Sequence, residues 1–158
     1  MIDIHAHILP GVDDGSKNPS ETEKLLKLSW KQGVTEIIAT PHFSHHTDFA
    51  GLRERYEQTK EAAQRIDPRF KIYLGQEILY FEGMTDWLDQ GKALTLADSR
   101  YVLAEFYQGI GYSGIFRAVQ RFTQSGYSPI IAHAERYEAL KDIGRLEELR
   151  KQGAYIQL

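Results

Sequence analysis

Met1-Ile2-Asp3-Ile4-His5-Ala6-His7 alternates apolar and polar side chains, and Ile8-Leu9-Pro10-Gly11-Val12-Asp13-Asp14-Gly15-Ser16 follows it directly. Alternation at period two marks a strand, and the proline and glycines that come next break it into a loop. His5 and His7 lie two apart on that strand, so both imidazoles project to one face and can converge on a single cation. A lone His-x-His is a weak sign. Its weight depends on what the rest of the chain brings to the same kind of position.

Outward from this stretch, strand and helix patterns alternate. Further strands are predicted over residues 35–40, 71–79, 101–106, 129–134 and 154–158. A helix opens at Pro19-Ser20-Glu21, carries Leu25, Leu26 and Trp30 at helical spacing, and ends at Gly33. Others are predicted over 52–66, 113–125 and 137–152, with an irregular piece around 84–88. Repeated strand–helix units imply parallel strands joined by right-handed crossovers. The expected class is therefore α/β with a barrel-like sheet, a doubly wound open sheet being the fallback. No repeat, low-complexity segment or linker divides residues 1–158, which read as a single domain.

Each of the next four strands also supplies a candidate ligand: His42 in Thr40-Pro41-His42, Glu77 in Gly75-Gln76-Glu77, Glu105 in Ala104-Glu105-Phe106, and His133 in Ile131-Ala132-His133. Parallel α/β enzymes gather catalytic groups from the carboxyl ends of several strands. Glu77 and Glu105 sit among apolar neighbours, where an unpaired carboxylate is costly to bury and a bound cation offsets the cost. In the Gly11-to-Gly15 loop, Asp14 is the better ligand candidate and Asp13 the second. Arg136, three residues after His133, suits bidentate capture of phosphate oxygens. His45 and His46 read as rim or solvated residues, and Tyr80, Phe81, Tyr107 and Tyr112 as an aromatic wall or ordinary packing.

Composition narrows the chemistry further. The chain has 158 residues, 42% hydrophobic and 26% charged, which fits a folded globular domain. A net charge of −3 gives no general attraction to nucleic acid or anionic membrane. There is no cysteine, so thiolate ligands and thiol nucleophiles are excluded. No basic leader or membrane-length apolar run stands in the sequence, and a cytoplasmic protein is the expectation. Nitrogen and oxygen donors without sulfur suit Mn, Fe or Zn, and several carboxylates favour Mn or Fe. The donors are too many for one ion; two or three metals bridged by a glutamate would activate water for phosphoester hydrolysis.

Assembled, these motifs resemble the polymerase-and-histidinol-phosphatase (PHP) superfamily, and within it the bacterial metal-dependent protein-tyrosine phosphatases of capsule and exopolysaccharide operons. The resemblance rests on Met1 to His7, Pro10-Gly11-Val12-Asp13-Asp14-Gly15-Ser16, Thr40-Pro41-His42, Gly75-Gln76-Glu77, Glu105-Phe106 and Ala132-His133-Ala134-Glu135-Arg136-Tyr137. It implies a distorted (β/α)7-type barrel with a trinuclear, usually manganese-dependent site. His5, His7, Asp14, His42, Glu77, Glu105 and His133 match the family's ligands. Arg136, and His42 beside its ligand role, match catalytic positions. The implied substrate is the phosphotyrosine tail of the autokinase that controls polysaccharide assembly.

The family ends on a further strand bearing Asp-x-His, whereas this sequence ends at Leu158 after its sixth predicted strand. The expectation is therefore a barrel truncated at about that point, with an open edge that a second copy covers and with weakened metal retention. Two other readings stand beside the phosphotyrosine one. One is a PHP phosphatase for a small phosphoester such as histidinol phosphate; the other is a remnant that binds metal or a kinase with little activity.

Overall fold

The structure, a computed structural model, describes residues 1–158, and the chain divides into two units. The first comprises Met1–Gln76 with Leu96–Asp98, the second Glu77–Thr95 with Ser99–Leu158.

In the first unit, strands β1 (Ile2–Ala6), β2 (Glu36–Ala39) and β3 (Lys71–Leu74) form a parallel sheet in that order. Parallel neighbours need crossovers, here helices α1 (Pro19–Lys31) and α2 (Phe49–Ile66). Helix α1 starts where Asn18 accepts the Glu21 N–H and Pro19 fills a first-turn position that needs no amide donor. Helix α2 begins three residues before the sequence suggested, because the Asp48 carboxylate accepts the Ala50 and Gly51 amides and so caps it at Phe49. Leu26, Ile37, Ala39, Ala63, Phe70 and Ile72 fill this core. Burying the leucine, isoleucine and phenylalanine side chains stabilises a fold by about 1.5–3 kcal/mol each.

The second unit holds β4 (Glu77–Leu79), β5 (Tyr101–Glu105), β6 (Ser128–Ile131) and β7 (Tyr155–Ile156), again all parallel and in that order. Its helices are α3 (Met84–Asp89), α4 (Tyr112–Gln124) and α5 (Ile143–Lys151). Ile78, Leu103, Ile115, Phe122, Ile131 and Leu149 are among its fully enclosed apolar side chains.

The α/β class with parallel strands is as expected, but three elements differ. The single strand over 71–79 is two, β3 and β4, separated by the buried pair Gly75 and Gln76. The first pairs with β2, while Glu77 opens a strand in register with Leu103 of β5, so seven strands replace six. The irregular piece around 84–88 is helix α3. The helix over 137–152 forms only from Ile143, where the Asp142 side chain accepts the Gly144 amide; two 3-10 turns, Ala134–Arg136 and Glu138–Leu140, precede it. No helix is long and apolar enough to cross a membrane.

Candidate metal-ligating clusters

In the first unit the ligand candidates meet at the carboxyl end of β1. The His5 and His7 Nε2 atoms lie 3.2 Å apart, and the His7 and His42 rings lie 4.7 Å apart at their centroids. Asp14 places Oδ1 3.5 Å from His42 Nε2, and its side chain is 81% exposed. The donor atoms of His7, Asp14 and His42 all fall within 4.8 Å of one another. Imidazole nitrogens facing one another this closely need a proton or a cation between them, and an N/O set without sulfur suits a divalent metal of the Mn–Fe–Zn kind.

The loop that carries the aspartates is tied down on both sides. Ser16 N–H donates to the His7 carbonyl at 3.0 Å and Gly11 N–H to the Ser16 carbonyl at 2.8 Å, with Gly11 in the left-handed region at φ 65°. Thr22 of α1 donates to the Ile8 carbonyl at 2.9 Å and shares a hydrogen bond with Ser16 Oγ at 2.8 Å. Gly15 passes so close to β1 that an added Cβ would stand 2.1 Å from the His7 carbonyl oxygen. No other residue fits there, and this is what brings the acidic pair back over the strand end.

The two aspartates have different tasks. Asp13, the sequence's second choice as a ligand, is the enclosed one, with a side chain 8% exposed. Its Oδ2 sits 2.7 Å from His7 Nδ1 and accepts the His42 N–H at 3.0 Å, while Oδ1 accepts the Gly15 N–H at 3.0 Å. Burial opposes its ionisation, but these hydrogen bonds prevail and hold its carboxyl below the usual range. Asp13 is thus a carboxylate that holds the His7 proton on Nδ1 and leaves Nε2 for a metal. The sequence ranked Asp14 ahead of Asp13 as a ligand; only the turn shows which carboxylate faces inward.

In the second unit, His133 Nε2 lies 2.7 Å from Glu77 Oε1 and 3.7 Å from Glu105 Oε1. The Glu77 side chain is 1% exposed, so its carboxylate has left water almost completely. A charge buried like this requires compensation, which the His133 ring gives here and which a cation between the same atoms would give more fully. His133 was expected on a strand; it lies beyond β6, at φ 35° and ψ 53°, a left-handed conformation uncommon for a residue with a Cβ. Such strain, of about 1–3 kcal/mol, persists only where surrounding structure enforces it. Tyr137, fully buried, is part of that enforcement. Its hydroxyl accepts the Phe106 N–H at 2.9 Å and lies 3.5 Å from His133 Nδ1. Burial raises the Tyr137 phenol, the Phe106 amide pulls the other way, and the Glu105 and Glu77 carboxylates push it up again, so it stays neutral. The sequence reading passed over this role; the four-residue step from His133 was the available signal.

Arg136 occupies the 3-10 turn after His133, exposed, with Nε 3.7 Å from Glu135 Oε1. His45 and His46 are exposed, as read from the sequence. Tyr80, Phe81 and Tyr107 line one cleft of the second unit, whereas Tyr112 is outside it, with its hydroxyl 2.5 Å from Glu148.

Known proteins agree with this chemistry. The family described as "Capsular polysaccharide synthesis, CpsB/CapC" matches residues 1–158. The tyrosine-protein phosphatase CpsB of Streptococcus pneumoniae is 37% identical over all of this chain and 67% of its own length. The tyrosine-protein phosphatase YwqE of Bacillus subtilis is 31% identical over 90% of this chain and 57% of its own. A chain from the crystal structures of YwqE and CpsB, described as unique metal-dependent tyrosine phosphatases, superposes with a TM-score of 0.87 at 32% identity, covering 100% of this chain and 66% of that one. The chain thus spans about two thirds of the length of such relatives. On these grounds it belongs to the CpsB/CapC family of capsular polysaccharide synthesis proteins, and the YwqE and CpsB proteins it resembles are described as metal-dependent tyrosine phosphatases.

Proposed function

We propose that this chain carries the ligands of a manganese-dependent protein-tyrosine phosphatase, and that His5, His7, Asp14, His42, Glu77, Glu105 and His133 hold two or three divalent ions. The observation that carries the reading is the convergence of His5, His7, His42 and Asp14, with Asp13 fixing the His7 tautomer. Divalent ions in such sites lower the pKa of water and neutralise charge on phosphoryl oxygens. The protein's own part is to orient the donors, keep His7 Nε2 unprotonated, and present the Arg136 guanidinium to the phosphate oxygens as a planar fork. Lack of cysteine is consistent, because the thiol-based route to phosphotyrosine is closed to this sequence.

The substrate we assign is the phosphotyrosine tail of a tyrosine autokinase that regulates capsule assembly, reached in the cytoplasm, where ATP-dependent phosphorylation takes place. The capsule-synthesis family and the relatives' phosphatase names support that assignment. The test is phosphate release from a phosphotyrosine peptide with and without Mn²⁺, beside histidinol phosphate, for the native chain and His5→Ala. Manganese-dependent turnover that prefers the peptide and disappears in H5A is expected. Turnover that ignores Mn²⁺, or an H5A protein as active as the native one, would refute the reading.

A further inference from the structure

Tyr80, Phe81 and Tyr107 line a cleft of about 550 Å³ in the second unit, together with Arg117 and Arg121. The reaction outlined above uses none of these side chains. The cleft nevertheless begins where a ligand-bearing strand ends. Glu105 is the last residue of β5, and its carbonyl accepts the Tyr80 N–H at 2.8 Å.

The walls are built rather than incidental. The Tyr80 ring packs 5.6 Å from Phe106 and edge-on at 5.7 Å to Phe122, so it is held in place. Ile110 and Gly114 also line it, and a Cβ on Gly114 would come 2.9 Å from Ile110 Cγ1, so helix α4 packs closely on Ile110 there. Tyr107 is 63% exposed, a large aromatic face turned to water where packing gives no reason for one. The charge is one-sided. Arg117 and Arg121 face a single lining carboxylate, Glu82, which stands 3.7 Å from Arg121 with both partners well exposed.

We propose that this cleft docks the peptide segment flanking the scissile phosphotyrosine, and that it selects an aromatic side chain bearing or adjoining negative charge. Ring faces take the aromatic group and the guanidinium pair takes the anion, the combination these side chains recognise best. A cleft of this volume matches a group of small-molecule size. The proposal rests on the phosphatase reading. Two flanks satisfy its chemistry, a second phosphotyrosine and an unphosphorylated tyrosine followed by glutamate.

The experiment uses three peptides that share one scissile phosphotyrosine and differ in flank: Ala-Ala, Tyr-Glu, or a non-hydrolysable phosphonate analogue of phosphotyrosine. The Mn²⁺-loaded protein is expected to favour the aromatic-acidic flanks over Ala-Ala by about five- to tenfold in kcat/KM, mainly through KM. Tyr107→Ala and Arg117→Glu, both at exposed positions, should each collapse that preference towards one. A preference confined to the phosphonate flank identifies a phosphoryl group as the anion; an equal preference for Tyr-Glu identifies a carboxylate. A flat response in the native protein, or a preference that survives both substitutions, overturns the proposal. Fluorescence anisotropy with the same peptides separates the two readings. If no peptide is hydrolysed but binding shows a flank preference that both variants abolish, the catalytic reading falls and the cleft stands. If binding shows no flank preference, the cleft falls.

Discussion

Replacing Asp13 by asparagine tests whether an inward carboxylate, and not merely a hydrogen-bonding side chain, organises the first cluster. Oδ2 serves two partners, His7 Nδ1 at 2.7 Å and the His42 amide at 3.0 Å, while Oδ1 serves the Gly15 amide at 3.0 Å. An amide offers one acceptor where the carboxylate offers two. If its oxygen stays on Gly15, the new NH2 group faces the His42 N–H donor to donor and donates to His7 Nδ1. The ring proton then moves to His7 Nε2, the nitrogen 3.2 Å from His5 Nε2, and blocks the ligand atom. If the amide flips, the Gly15 N–H loses its acceptor instead. Either way one enclosed donor goes unsatisfied, at about 1–3 kcal/mol. Loss of such an orienting partner typically weakens metal binding by about 10–100-fold, or about 1.4–2.7 kcal/mol. Calorimetric titration of Mn²⁺ into the native, Asp13→Asn and Asp13→Ala proteins reads this directly. Both variants should weaken binding, and D13A should retain more than D13N wherever the wrong tautomer is the dominant fault. An Asp13→Asn protein that binds Mn²⁺ within a factor of two of native, with an unchanged melting temperature, would refute the reasoning.

Three further outcomes follow from other contacts. Tyr137→Phe leaves the Phe106 amide without its 2.9 Å acceptor, so urea unfolding should show a loss of about 1–3 kcal/mol, and a change below a few tenths would remove Tyr137 from the support of His133. Gly15→Ala drives a methyl to within 2.1 Å of the His7 carbonyl, so the loop must move; a loss of about 1–3 kcal/mol or more and weaker Mn²⁺ binding are expected, and a melt superposable on native would contradict the close approach. Burial, together with the 2.6 Å hydrogen bond to Asp89, pushes the Tyr127 phenol up to about 12 from 10.0. A folded-state value above the unfolded one stabilises below pH 10 and ceases to do so as pH climbs towards 12, so ultraviolet titration of Tyr127→Phe should lack one late-ionising tyrosine. A Tyr127→Phe curve that matches native throughout that window would disprove the assignment.

The legibility of this protein divides along physical lines. Residue type pointed to the proposed chemistry: histidines and carboxylates without sulfur, recurring after successive strands, suit hard or borderline metal ions. The strand–helix alternation likewise settled the class, because hydrophobic periodicity records which faces are buried wherever they end up. The boundaries that failed are places where tertiary contacts override local preference. The run over 71–79 looks uniformly β-forming, and only its pairing partners, β2 before Gly75 and β5 after Gln76, split it. Residues 137–142 carry helical composition, yet only Glu138–Leu140 winds there, as a single 3-10 turn, with Tyr137 anchored to Phe106.

The sequence by itself, then, determined the parallel α/β class and supplied the candidate donors on which the proposed metal chemistry rests, since these depend on side-chain identity and spacing alone. Only the tertiary structure decided that Asp13 turns inward to His7 while Asp14 faces solvent, and that His133 takes a left-handed conformation against Glu77. Position beside Gly15 ranked Asp14 above Asp13 as a ligand, but no local rule says which of the two turns inward. That is decided when a glycine with no room for a Cβ presses the loop onto the strand and fixes which carboxylate is enclosed.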